Sequence, residues 1–128
     1  MNYYLSRTVT LDFDAAVAKA IEALKAEGFG VLTDIDISAT LKQKLGVDFR
    51  KYRILGACNP SLAHKALSAE DKIGVMLPCN VIVQERAEGG AELAAIDPRA
   101  AMQRVGKPAL AAVAEEVAER LARALQAV

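Results

Sequence analysis

The sequence predicts an α+β fold: a single domain with a largely antiparallel sheet, helices packed on one face, and a long C-terminal helix. Three observations lead there. Strand-like and helix-like segments mix without the strict alternation of a parallel α/β protein. Val81 to Glu85 and Ala91 to Ile96 flank Glu88-Gly89-Gly90, which reads as a hairpin turn. After Pro108, the residues Leu110, Val113, Val117, Leu121 and Leu125 recur at helical spacing.

Each element has its own local signals. Tyr3 to Thr10 alternates loosely and ends in β-branched residues, as a first strand does. Asp12 is placed to cap a helix with apolar positions Phe13, Val17, Ile21 and Leu24, and Gly28 closes it. Phe29 to Ile35 reads as a second strand. Ser38 is expected to cap a short helix carrying Leu41 and Leu45, ended by Gly46. Tyr52 to Cys58 is a third strand. Asn59 then caps a helix with Pro60 at its first position, where a missing N–H costs nothing. Leu62, Ala63, Ala66 and Leu67 share one face of it. Ile73 to Leu77 reads either as a short strand or as an irregular approach to Cys79. Asp97-Pro98 stops the second hairpin arm and starts a short helix through Met102. On the wet side of the last helix, Glu116–Arg120 and Glu119–Arg123 are expected i,i+4 pairs.

At 128 residues the chain has the length of one domain, 1–128, with enough residues for a real core. Lysine plus arginine and aspartate plus glutamate number 16 each, so the formal charge is zero. A general nucleic-acid binder needs a basic excess, and this chain has none. The local run Lys42, Lys44, Arg50, Lys51 and Arg53 reads as a solvated face. No stretch has the length or polarity of a signal peptide or membrane span. Two cysteines and no export signal point to the cytoplasm. The 25 alanines favour closely packed helices.

Both cysteines sit in near mirror-image motifs, Cys58-Asn59-Pro60 and Pro78-Cys79-Asn80, 21 residues apart. That length lets the chain leave along a helix and return, so a shared site is expected. Cys58 ends a strand just before a helix N-terminus, where the dipole favours an anion. It reads equally as a small buried apolar residue. If the segment of Cys79 lies beside the strand of Cys58, the two thiols approach, and a transient cytosolic disulfide becomes geometrically open. His64, the only histidine, completes a possible zinc set with Cys58 and Cys79, although no Cys-x-x-Cys is present. Asn59 reads as a cap, whereas Asn80 stands in a strand, where asparagine is depleted. Asp34 and Asp36 are paired carboxylates with a weak claim to acid/base work.

Gly28-Phe29-Gly30-Val31-Leu32-Thr33, Thr40-Leu41-Lys42-Gln43-Lys44-Leu45-Gly46, Arg53-Ile54-Leu55-Gly56-Ala57-Cys58-Asn59-Pro60 and Leu77-Pro78-Cys79-Asn80-Val81 resemble the domain-of-unknown-function family 302. The resemblance runs from the first strand to Asp97-Pro98. It implies an α+β fold of small bacterial or archaeal proteins, a tendency to dimerise, and no established activity.

Three readings follow. The first is a cytosolic domain binding a small molecule or metal at a pocket lined by Cys58, Asn59, Cys79 and Asn80, with His64 and Lys44 peripheral. The second is a thiol-dependent enzyme or redox protein using Cys58 with Cys79 as resolving partner. The third is an interaction domain without a catalytic site. In each the chain is expected to form a homodimer and to engage neither nucleic acid nor membrane. Catalytic residues and cofactors stay unassigned.

Overall fold

Five strands form one antiparallel sheet in the order β1-β5-β4-β3-β2. They are β1 (Tyr4–Val9), β2 (Gly30–Asp36), β3 (Tyr52–Cys58), β4 (Cys79–Glu85) and β5 (Ala91–Ile96). The helices are α1 (Phe13–Ala26), α2 (Ile37–Leu45), α3 (Pro60–Ala69), α4 (Pro98–Met102) and α5 (Pro108–Gln126). The computed structural model describes residues 2–128. The chain enters at one sheet edge with β1 and crosses along α1 to β2 at the other edge. It then meanders back until β5 closes beside β1.

The period-two pattern of the strands divides the sheet into two faces. Leu5, Ala95, Val81 and Leu55 form one cross-strand row on the covered face. Val83 and Leu93 pair in the next row, each 0% exposed. Over these rows α5 lays Leu110, Val113, Val117, Leu121 and Leu125, the stripe expected from spacing, with Ala114, Ala118 and Ala124 between them. The small alanines let the helix approach the sheet closely. Each fully buried Leu or Val contributes roughly 1.5–3 kcal/mol relative to exposure.

The caps explain the helix starts. The Ala15 N–H donates to Asp12 Oδ1 at 2.8 Å. Gly28, at φ +87°, turns the chain out of α1. α3 has Asn59 as cap and Pro60 in its first turn. Asp97 caps α4 by accepting from the Arg99 N–H at 3.0 Å.

Several local expectations are corrected. Asp36, not Ser38, caps α2: the helix starts directly after β2, and the Ala39 N–H donates to Asp36 Oδ1 at 3.0 Å. Ile21 is 36% exposed, and Ala20 takes the inward position on α1. Leu67 is 42% exposed, because the buried residues of α3 are Leu62 and Ala66. The segment before Cys79 is a 3-10 helix, Asp71–Met76, held by buried Ile73. Arg123 reaches across to Glu27 at 3.1 Å rather than to Glu119. Glu116–Arg120 forms as expected, at 3.1 Å.

α2 buries no residue. The other face of the sheet carries the registered row Ser6, Ala94, Ile82, Ile54 and Ile35. Among the described residues no helix buries this row.

Candidate functional site

The two cysteine motifs meet where β3 and β4 run side by side. Ala57 pairs directly with Cys79, so Cys58 is one residue from the rung. The strand ending at Cys58 therefore neighbours the segment carrying Cys79, as the motifs suggested. Cys58 is half-buried and Cys79 buried, and both are free thiols. A cavity of about 30 Å³ lies between these strand ends and helices α3 and α5. Cys58, Asn59, Leu62, Leu77, Cys79 and Met102 are among its lining residues.

Each side chain here is held by its element. Asn59 Oδ1 accepts from the Leu62 N–H at 3.2 Å, which ties the amide to the start of α3. Its Nδ2 lies over Gly28; a Cβ at Gly28 would come within 2.9 Å of that nitrogen. Pro78, after a cis Leu77–Pro78 bond, packs over Gly56 of β3. Burial pushes the Cys79 thiol from an ordinary value near 9.0 up to about 11, and the nearby Cys58 thiol adds to the push. Cys79 is therefore a neutral thiol at neutral pH.

The four-residue pocket expected from sequence does not assemble as one. Asn59 and Cys79 line the cavity and Cys58 borders it at the end of β3, but Cys58 follows Ala57, the registered partner of Cys79, and Asn80 follows Cys79, so both side chains alternate to the opposite face. There Asn80 is exposed in an open cleft of about 410 Å³ with Tyr3, Tyr4, Tyr52, Gln84 and Glu92. Gln84 donates to Glu92 Oε1 at 2.9 Å inside that cleft. His64 is exposed on α3 and absent from the cavity lining, so the Cys58–Cys79–His64 zinc set does not form. Among the described residues no three His, Cys, Asp or Glu come together as a metal cage. Lys44 is exposed on α2, also away from the cavity.

The paired carboxylates are structural. Asp36 caps α2, and Asp34 accepts from Arg53 Nε at 2.7 Å. That guanidinium holds the Asp34 carboxyl below its usual range. The basic run is largely engaged as well: Lys42 pairs with Asp48 at 3.0 Å, and Arg50 donates to Gln84 at 2.8 Å. A further groove of about 350 Å³ lies between α4 and α5. Its cations are also paired, Arg99 with Asp97 at 2.9 Å and Lys107 with Glu70 at 2.7 Å.

The family model for the domain of unknown function DUF302 matches residues 5–128. The chain belongs to the DUF302 family. A crystal structure of an uncharacterized conserved DUF302 protein from Bacillus stearothermophilus is similar to it, with a TM-score of 0.92 and 29% identity. The match covers 99% of this chain and 98% of that one. None of the curated proteins matches. The DUF302 fold thus explains the mirrored motifs in part as architecture: one caps α3, and the other seats Pro78 over Gly56. No helix of the chain is long and apolar enough to cross a membrane among the described residues. Sequence reasoning missed Gly56 and Met102. Gly56 was legible as a glycine inside a strand, a sign of close approach. Met102 gave no signal, because it comes to the cavity from 23 residues beyond Cys79.

Proposed function

We propose that this DUF302 domain is a binding module whose site is the cavity at the joint of β3, β4, α3 and α5. Cys79 is its buried contact, Asn59 part of its rim, and Cys58 the more reachable thiol at its edge. The carrying observation is that both cysteine motifs open onto one cavity of about 30 Å³. A water needs about 10–15 Å³ measured in this way, so the space suits an occupant of one or two heavy atoms. Binding is favoured over thiol exchange because burial keeps Cys79 protonated, which makes it a poor resolving nucleophile. Asn80 is assigned to the open cleft instead. Two free thiols fit a reducing compartment, and we assign the domain to the cytoplasm. Native mass spectrometry with elemental analysis of the purified protein tests the site. An occupant retained by the parent and lost in Cys79→Ala is expected. No Cys79-dependent occupant, either retained or taken up from added ions and small molecules, would sink the reading.

A second reading concerns assembly: we propose a homodimer that buries the uncovered sheet face. Its support is the row Ala94, Ile82, Ile54 and Ile35, with Tyr4 and Tyr52 nearby. Five strands of six or seven residues present roughly 500 Å² of flat footprint. Side-chain relief and the exposed Tyr3 and Leu32 bring this towards the about 800 Å² per partner of stable interfaces. Light scattering is expected to report a dimer for the parent and a folded monomer for Ile82→Glu. A monomeric parent at micromolar concentration would count against the pairing.

A further inference from the structure

The open cleft on the uncovered sheet face has a composition that neither the cysteine cavity nor the apolar row explains. Its volume of about 410 Å³ lies in the range of small-molecule sites. Its floor is Ile82 and Ala94, paired across β4 and β5. Around the floor stand the rings of Tyr3, Tyr4 and Tyr52, the carboxamides of Asn80 and Gln84, and the carboxylate of Glu92. Strand register places them. Tyr52, Gln84 and Glu92 form one cross-strand row. Asn80 lies four residues back along β4, towards the end of the sheet where Tyr4 pairs with Ile96. Tyr3 packs edge-on to Tyr4, with ring centroids 5.0 Å apart. Tyr4 and Tyr52 stand three strands apart, roughly 14 Å across the sheet and roughly 13 Å along the strands. They are too far apart to clamp one planar ring between them. Each offers a separate aromatic platform at its own corner of the cleft.

The polar side chains are set for a neutral ligand. Arg50 Nε donates to Gln84 Oε1 at 2.8 Å, and Gln84 Nε2 donates to Glu92 Oε1 at 2.9 Å. This chain of bonds orients the amide and offsets the carboxylate charge with the guanidinium. It leaves the second N–H of Gln84 and the other oxygen of Glu92 to a ligand. Asn80 is exposed and adds an amide that both donates and accepts. Among the described residues no lysine, arginine or histidine lines the cleft, so an anion finds no partner in it. An extended peptide fits poorly, because strand addition uses the backbone groups of a sheet edge, and a sheet face presents only side chains. The ligand that satisfies this cleft has hydroxyls that donate and accept, and apolar C–H faces to lie on aromatic rings and on Ile82 and Ala94. Pyranose rings have both. We propose that the cleft binds a short neutral oligosaccharide, with rings on the Tyr4 and Tyr52 platforms and hydroxyls on Asn80, Gln84 and Glu92. The proposal is independent of the cysteine cavity. It shares Ile82 and Ala94 with the row that supports the homodimer, so a bound saccharide and a partner protomer exclude one another.

The experiment is an NMR titration of the full chain with cellotriose, maltotriose and chitotriose, and with glucose and N-acetylglucosamine as their monosaccharides. At least one trisaccharide is expected to shift the backbone amides around Asn80, Gln84 and Glu92. Its affinity is expected to exceed that of its monosaccharide roughly tenfold or more, because one ring reaches only one platform. Tyr52→Leu and Asn80→Ala are expected to weaken that binding roughly fivefold or more, with circular dichroism checking the fold. Should Tyr52→Leu fail to fold, Asn80→Ala decides, since the Asn80 side chain is exposed. No shift from any of the trisaccharides at millimolar concentration overturns the proposal. Equal affinity for the monosaccharide overturns the use of both platforms, and unchanged affinity in Asn80→Ala overturns the placement. Light scattering of the saturated protein is expected to report monomer. A dimer that persists with ligand bound overturns the seat over Ile82 and Ala94. Each of these outcomes leaves the reading of the Cys79 cavity untouched.

Discussion

Gly56 lies directly beneath Pro78: a Cβ at Gly56 would approach Pro78 Cγ to 2.8 Å and would overlap Thr33 Oγ1. The contact joins the third strand to the residue that precedes Cys79. It sets how closely the two cysteine motifs can approach. Gly56→Ala must push apart β2, β3 and the Pro78 turn at once. Overpacking of this kind costs about 1–3 kcal/mol. A thermal melt is expected to show a clear drop in Tm. A variant as stable as the parent would mean that Thr33 and Pro78 move aside freely.

Cys58 is half-buried and Cys79 is buried at 7% exposure. Iodoacetamide on the native, reduced protein is therefore expected to label Cys58 first, with Cys79 reacting only after unfolding. Peptide mass spectrometry reads the two sites separately. Preferential labelling of Cys79 would reverse the assignment of Cys58 as the reachable thiol.

The raised value of Cys79 makes stability fall in alkali. In the unfolded chain this thiol ionises near pH 9.0, whereas the fold holds its proton until about pH 11. The contribution is fully present below the unfolded value and is lost as pH rises towards the folded one. The loss amounts to roughly 2–3 kcal/mol across that window. Other groups titrate there too, so the comparison is with Cys79→Ala, in the presence of a chelator. Denaturant melts are expected to show a flatter alkaline limb for the variant. Parallel limbs would refute the buried-thiol account.

Asp34 and Arg53 pair on β2 and β3 near the sheet edge, and Arg53 lowers the Asp34 carboxyl. A lowered carboxyl contributes stability above its unfolded value, and the contribution is lost as pH falls through the folded one. Both side chains are about a third exposed, 28% and 34%, so solvent screens the pair. Asp34→Asn is expected to cost no more than about 1 kcal/mol at neutral pH and nothing in acid. A loss of several kcal/mol would show that β2 depends on this pair far more than its exposure allows.

Much of the architecture was written locally. Asp12, Asn59 and Asp97 announce three helix starts, because a side chain that can accept from a free N–H has few other uses at a strand's end. The period of Leu110, Val113, Val117, Leu121 and Leu125 fixes the buried face of α5 without knowledge of what it covers. The hairpin around Gly89-Gly90 fixes the β4–β5 pairing. The sequence also placed the segments of Cys58 and Cys79 side by side, since a strand, a helix and a return strand bring chain ends back to one side.

Tertiary structure decided what local pattern could not carry. The side chains of Asn80 and Cys58 left the expected site because successive residues of a strand point to opposite faces, and the pairing of Ala57 with Cys79 puts those two, not Cys58 or Asn80, on the covered face. Glu27 rather than Glu119 took Arg123, because a partner from another element lay within reach. Met102 entered the cavity through the packing of α4 against α5, a long-range contact with no sequence period. Local chemistry determined where elements begin and which faces are apolar; the order of strands across the sheet determined which side chains share a cavity, because that order is fixed by contacts between residues distant in the chain.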